Sequence, residues 1–185
     1  MIIRPSMSGI FEKHVETPLD ISGMPTARLA YGLRLLRAAY TGAAIRVRRD
    51  SDSTEADVYF YNQKEVTLNS LTSAGSTLRD FVGSNSAFVT KWYNQSGNTS
   101  TQQGGGSWSG YPTAPDAVQT TTSRQPELIS SGVFNRGLKC VTSGGYSASG
   151  DYLQVNQYRL PNTDDNFSLV MACEVFNFTG AGGLI

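Results

Sequence analysis

Apolar residues near the start of the chain recur at helical spacing. They are Leu29, Leu33, Leu36 and Tyr40, at i, i+4, i+7 and i+11. This is one stripe of a 3.6-residue period, and Gly42 follows it where helices commonly end. The pattern predicts an amphipathic helix over residues 25–41. Residues 1–24 have no clear period, so we expect an extended N-terminal arm there.

From residue 44 onward the period changes to two, which is typical of half-buried antiparallel strands. The strand-like segments are 44–49, 58–61, 88–93, 127–129, 137–141, 151–155 and 167–175. A short second helix is predicted over 76–83, with Ser76 as its N-cap and Gly83 at its end. The spacing of these elements predicts a mainly β fold, an antiparallel β-sandwich of jelly-roll type over residues 25–185.

The last residues have the pattern of a loop that leads into a new strand. A sandwich needs more strands than the sequence supplies after residue 175, and an unpaired apolar edge is hazardous. We therefore expect the domain to be incomplete at residue 185. Further sequence or another chain would complete it.

Charge and small polar residues narrow the function classes. The chain has 15 basic and 15 acidic residues, and Gly, Ser, Thr and Asn make up 67 of its 185 residues. This balance offers no basic face for nucleic acid. No run of about 18 apolar residues is present, so we expect no membrane insertion. The N-terminus lacks the apolar core of a secretion signal.

Cysteine and histidine are too few for a structural zinc site, which needs four ligands. The chain has Cys140, Cys173 and one histidine, His14. Both cysteines lie in apolar, strand-like runs, so we expect buried free thiols, with one disulfide as the alternative. No cofactor is expected.

Carboxylates cluster after the first predicted strand. Asp50 and Asp52, and then Glu55 and Asp57, lie beside three arginines, which are Arg46, Arg48 and Arg49. A glycosidase needs two carboxylates about 5–10 Å apart, one of them with a raised pKa. Neighbouring arginines shift a carboxyl pKa the other way. The pattern favours structural Arg–Asp pairs, and a cation site of Asp50, Asp52 and Asp57 is the weaker alternative.

An aromatic and amide cluster is the candidate binding site. Its members are Trp92, Tyr93, Asn94 and Gln95, together with Trp108 and Tyr111 in a glycine-rich segment. Aromatic rings stack on sugars or fill subunit interfaces, and amides bond hydroxyl groups. The alternative is structural: Trp92 lies in the core, and residues 94–97 form a turn in which Asn and Ser bond the backbone.

Three groups of segments, in this order, resemble a known family. They are 33–42 with 45–52, then 81–83 with 89–98 (including Trp-Tyr-Asn-Gln-Ser-Gly at 92–97), and then 125–128 with 137–138. This order is similar to the catalytic sandwich domain of α-L-arabinofuranosidase B. It more closely resembles related modules of bacteriophage virion proteins, which are concanavalin A-like or laminin-G-like. The resemblance covers about residues 25–175.

The resemblance argues against catalysis by this chain. The family's nucleophile follows a glycine- and cysteine-containing stretch that would align roughly with residues 180–185, and its general acid lies further on, so both positions would fall beyond residue 185. The family's double-cysteine stretches are absent, and an aspartate of its motif is Asn94 here.

The favoured expectation is a non-enzymatic bacteriophage structural protein of the tail, tail fibre or capsid decoration. It would be made in the host cytoplasm, assembled into the virion and released when the host cell lyses. Its partners would be copies of itself, other virion proteins and host surface glycans. The alternatives are a fragment of an arabinofuranosidase-like hydrolase whose carboxylates lie beyond residue 185, and a free carbohydrate-binding module.

Overall fold

The computed structural model describes residues 17–23, 27–97, 115–140 and 150–155. Within them the chain is mainly β and has one short α-helix. The strands are β1 (Ile45–Arg49), β2 (Glu55–Val58), β3 (Ala87–Trp92), β4 (Ala117–Val118), β5 (Glu127–Ser130) and β6 (Val133–Lys139); the helix is α1 (Leu78–Val82), and a 3₁₀ helix spans Thr122–Arg124.

The six strands form one antiparallel sheet. Its order is β2-β1-β3-β5-β6, and β4 pairs with the other end of β3. The mainly β class and the antiparallel pairing are therefore confirmed. The described residues contain this sheet alone, so the second sheet of a sandwich is not among them.

Two tight connections set the register of the sheet. Arg49 N–H donates to Thr54 O across the turn that joins β1 to β2. Ser131 and Gly132 join β5 to β6 with φ values of 47° and 80°. Two left-handed residues in a two-residue loop match the twist of the strands that they connect, and glycine takes this conformation without strain.

One face of the sheet forms the core. Paired residues share a face, and the buried pairs include Ile45 with Val58 and Val47 with Val89. Helix α1 contributes its three buried residues to the same cluster, namely Leu78, Phe81 and Val82. The alternating apolar residues of the sequence lie on this face, since a period of two places every second side chain there.

The opposite face is polar and partly buried. Register places Arg46 with Asp57 and Lys91 on it, and Phe88 between Arg48 and Glu127. Arg48 is the most buried charged residue of this face, since it is only 6% exposed. Its guanidinium stacks on the Phe88 ring and donates from Nε to Gln125 Oε1 at 2.8 Å.

The predicted amphipathic helix over 25–41 is wrong for residues 27–41, which contain no helix. This segment pairs with residues 64–66 instead: Leu35 N–H donates to Lys64 O, and Val66 N–H donates to Leu33 O, both at 2.7 Å. Leu35, outside the predicted stripe, is the buried leucine. Contacts from distant segments outweigh helix propensity here.

The short second helix is confirmed with shifted bounds. Thr77, not Ser76, is the N-cap, and its Oγ1 accepts from Asp80 N at 3.2 Å. Gly83 ends the helix, and its N–H donates to Arg79 O.

Two other predicted strands differ from the structure. The strand expected at 58–61 lies earlier, at β2, and residues 151–155 form a single bridge, Gln154 to Val118. Cys140 is exposed rather than buried. The segment 167–175, Cys173 and His14 lie outside the described residues.

The described part of the N-terminal arm lies on its own domain. Leu19 N–H donates to Leu36 O at 2.9 Å. Asp20 accepts from Ala38 N at 2.6 Å and from the Thr17 hydroxyl. These bonds lower the pKa of the Asp20 carboxyl, the one from Thr17 most of all.

Candidate functional site

The predicted aromatic and amide cluster begins where β3 ends. Trp92 is the last residue of β3, and Tyr93 N–H continues the pairing by donating to Ala44 O at 3.0 Å. The next two residues, Asn94 and Gln95, leave the sheet and turn toward residues 30–36. The candidate Trp108 and Tyr111 lie outside the described residues.

Gln95 is fully buried and holds the segment that the sequence pattern had predicted to be helical. Its Oε1 accepts from Leu36 N and its Nε2 donates to Gly32 O, both at 2.8 Å. Its own backbone N–H donates to Ala30 O, also at 2.8 Å. The amide therefore replaces hydrogen bonds that a helix would have made within itself.

Asn94 bonds the backbone on both sides of the same junction. Its Oδ1 accepts from Ala30 N at 3.1 Å and from Ser96 N at 2.9 Å. Its backbone N–H donates to Asp116 Oδ1 at 3.0 Å. This is the geometry of the structural alternative, a turn in which an amide bonds the backbone. Sugar contact by this cluster stays a prediction.

The two aromatic residues of the cluster differ in surroundings. Trp92 is half-buried, packs against the core, and lies 6.0 Å from Tyr31 between ring centroids. Tyr93 donates its hydroxyl to Asp57 Oδ1 at 2.7 Å. Burial and then the Asp57 carboxylate raise the pKa of Tyr93. This phenol therefore remains protonated and acts as a hydrogen-bond donor.

The predicted Arg–Asp pairs are confirmed at the β1–β2 hairpin. Arg46 forms a two-point pair with Asp57, with Nε to Oδ1 at 2.7 Å and Nη2 to Oδ2 at 3.1 Å. The hydrogen bond from Arg46 is the largest cause that lowers the pKa of Asp57, followed by the bond from Tyr93. A carboxylate held ionised in this way is unsuited to act as a general acid.

A second pair closes the turn of the same hairpin. Arg49 donates to both carboxylate oxygens of Asp52 at 3.0 and 2.6 Å, and also to Phe81 O. The bonds from Arg49 to the carboxylate are the largest cause that lowers the pKa of Asp52. Asp50 lies 3.5 Å from Arg48. The three aspartates of the weaker cation hypothesis thus face three different arginines. Within the described residues no group of three metal-ligating side chains is present.

Sequence reasoning did not single out a buried polar chain beside Arg48. Gln125 accepts from Arg48 and donates from Nε2 to Gln119 O at 3.2 Å, and Gln119 donates to Tyr152 O at the same distance. Both glutamines are at most 5% exposed. Arg48 and Tyr152 lie 77 and 33 positions from their glutamine partners, and no spacing rule identifies such distant links in a sequence.

Comparison with protein-family models, with curated proteins and with solved structures finds no match. In the part of the chain that the structure describes, no helix has the length and apolar character needed to cross a membrane.

Proposed function

We propose that this chain is a non-catalytic structural protein of a bacteriophage virion, belonging to the tail, a tail fibre or a capsid decoration. The order of its sequence segments supports the virion assignment. One structural observation supports the absence of catalysis: Asp50, Asp52 and Asp57, the aspartates considered as acid–base groups, are each paired with an arginine. The bonds from Arg49 and Arg46 lower the pKa of Asp52 and Asp57, which disfavours either carboxyl as a general acid.

The finer fold belongs to the same proposal. A concanavalin A-like jelly roll over residues 25–185 would pack a second sheet against the first, and the order of the sequence segments supports it. The antiparallel pairing of the six described strands also supports this architecture.

Assembly into a homo-oligomer is the functional consequence that the sheet supports. Within the described residues β6 lies at one end of the sheet order and pairs with β5 alone. It exposes Val133 to 67%. An end strand presents backbone donors and acceptors to a neighbouring chain. Copies of this protein and other virion proteins are the proposed partners, with host surface glycans as a further contact.

Two measurements test the proposal. Mass spectrometry of purified particles from the encoding phage should detect this chain at a fixed stoichiometry. Light scattering on the purified chain should give a symmetric oligomer. Absence from the particles, or a monodisperse monomer in solution, would overturn the corresponding part of the proposal.

An activity assay separates the proposal from its enzymatic alternative. The chain is expected to leave an aryl α-L-arabinofuranoside intact. Hydrolysis at a rate that scales with protein concentration would instead favour the arabinofuranosidase-like reading.

A further inference from the structure

A cleft lies beside the sheet, where the chain leaves β2 and meets the end of the 27–42 segment. We call it the Tyr59 cleft. Its volume is about 170 Å³. The lining residues used below are Tyr40, Thr41, Gly42, Tyr59, Phe60 and Gln63. Sequence reasoning treated Tyr59 and Phe60 as strand positions and did not connect them with Tyr40.

The inner wall of the cleft is aromatic and fixed. Phe60 packs against the core, and Tyr40 meets it edge to face with ring centroids 6.3 Å apart. The Tyr40 hydroxyl is committed, since it donates to Ala43 O at 2.7 Å. A Cβ on Gly42 would lie 2.6 Å from that hydroxyl oxygen. Glycine at position 42 therefore allows the Tyr40 ring to lie against the backbone.

The rim carries polar side chains that are not bonded within the described part of the chain. Thr41, Tyr59 and Gln63 are exposed, and their side chains make no hydrogen bond to any described residue. Gln63 is held at the rim by a turn in which Asn62 and Gln63 have φ values of 49° and 54°. Lys64 N–H closes this turn on Tyr61 O at 3.0 Å. Two hydroxyls and one amide are thus available beside an aromatic wall.

The chemistry of the lining selects an uncharged ligand. None of the described residues that line the cleft is charged, so it offers no partner for a phosphate, a carboxylate or a metal ion. A ligand here needs an apolar face for the aromatic wall and hydroxyls for the rim. The volume is below the roughly 300–1,000 Å³ of pockets for drug-sized ligands, so one ring fits and an oligosaccharide does not.

We propose that the Tyr59 cleft binds a single ring of a neutral glycan, with Tyr59 and Phe60 against the ring and with Thr41 and Gln63 bonding its hydroxyls. This inference rests on the proposed function in one respect, the contact with host glycans. It places that contact away from Trp92–Gln95, whose two amides are engaged by the backbone.

Saturation-transfer NMR on the full chain tests this site. The probes are methyl glycosides of neutral pyranoses and of arabinofuranose, with glucuronate as a charged comparison. We expect saturation of at least one neutral glycoside, weak binding with Kd of about 1–10 mM, and no saturation of glucuronate. Tyr59→Ala should weaken binding about tenfold, and Tyr59→Phe should weaken it less because the ring remains.

Tyr152→Ala is the matched control. Tyr152 is exposed to 38%, against 39% for Tyr59, and does not line the cleft. Its loss should leave sugar binding unchanged. Gln63→Ala is a second test at an exposed position and should weaken binding about threefold.

Three outcomes would overturn the inference. One is saturation of no neutral glycoside at 50-fold excess over the protein. Another is binding that Tyr59→Ala leaves unchanged in a folded variant. The third is a change of oligomeric state in Tyr59→Ala without sugar binding by the parent chain, which would make the cleft a subunit contact. None of these results changes what mass spectrometry of the particles should detect, so a failure of this inference can be told apart from a failure of the proposed function.

Discussion

Replacing Gln95 by leucine should destabilise the fold far more than an ordinary polar-to-apolar change. Leucine has a similar size but makes neither side-chain bond, so Leu36 N–H and Gly32 O both lose a partner at 2.8 Å. Leaving a buried polar group unpaired costs about 1–3 kcal/mol. Leu36 and Gly32 are only half-buried, so water compensates in part and we expect a loss of about 2–4 kcal/mol.

Urea unfolding at pH 7, followed by circular dichroism, measures this loss. A domain is stable by about 5–15 kcal/mol, so the expected change is a large part of the total. Gln154→Leu is the matched control, because Gln154 is exposed and its loss should change stability by less than about 0.5 kcal/mol. If Gln95→Leu costs no more than Gln154→Leu, the Gln95 amide does not hold the 30–36 segment, and our account of that segment is refuted.

Three further predictions concern the sheet. Asp57→Asn should cost about 1–3 kcal/mol at pH 7, since it weakens the bonds from Arg46 and Tyr93. Folding lowers the pKa of Asp57 from 3.8, so the stability that this carboxylate contributes is present above about pH 4 and is lost as pH falls through the folded pKa. The difference in urea midpoint between the parent chain and Asp57→Asn should therefore shrink toward pH 3, and a constant difference from pH 7 to pH 3 would contradict this. Leu128→Ala, at a fully buried position, should cost about 2–5 kcal/mol in the same assay, and a loss below 1 kcal/mol would show that the core relaxes around it. Arg136→Gly should raise the midpoint of thermal unfolding slightly, because Arg136 is exposed and has φ 58°. Glycine relieves about 1–2 kcal/mol of backbone strain, which exceeds the cost of the conformational entropy that it adds to the unfolded chain. A lowered midpoint would argue against strain at this position.

The strands could be predicted from the sequence because their signal is local. Alternation at 44–49 and 88–93 identifies β1 and β3 to within one residue at each end. What alternation cannot supply is the environment of the second face. Arg48 shares a face with Arg46 but is buried, because Gln125, 77 positions away, and the Phe88 ring cover it. No periodicity carries that information.

The predicted helix failed for a related reason. Its apolar residues do have helical spacing, but Gly32 lies among them and lowers the helix propensity of the segment. The backbone groups of Leu33, Leu35 and Leu36 find partners at residues 64–66 and at Gln95 instead. These partners lie about 30 and 60 positions away, so a window of one helix length contains no trace of them. Asn94 and Gln95, two members of the binding cluster that the sequence predicts, make bonds that replace those of a helix.

Neutral polar side chains have two separate uses in this chain, the bonding of backbone groups and the binding of a ligand. Asn94 and Gln95 satisfy backbone groups of an irregular segment, and buried glutamines do the same beside Arg48. The Gln95 amide is fully buried and bonded through both of its polar atoms, so it has no capacity left for a ligand. A binding site for a small ligand requires unbonded polar side chains next to a concave surface. In the described part of the chain the Tyr59 cleft meets both conditions, because Thr41 and Gln63 stand unbonded at the rim of a fixed aromatic wall. Glycan contact is therefore better sought at this cleft than at the Trp92–Gln95 cluster.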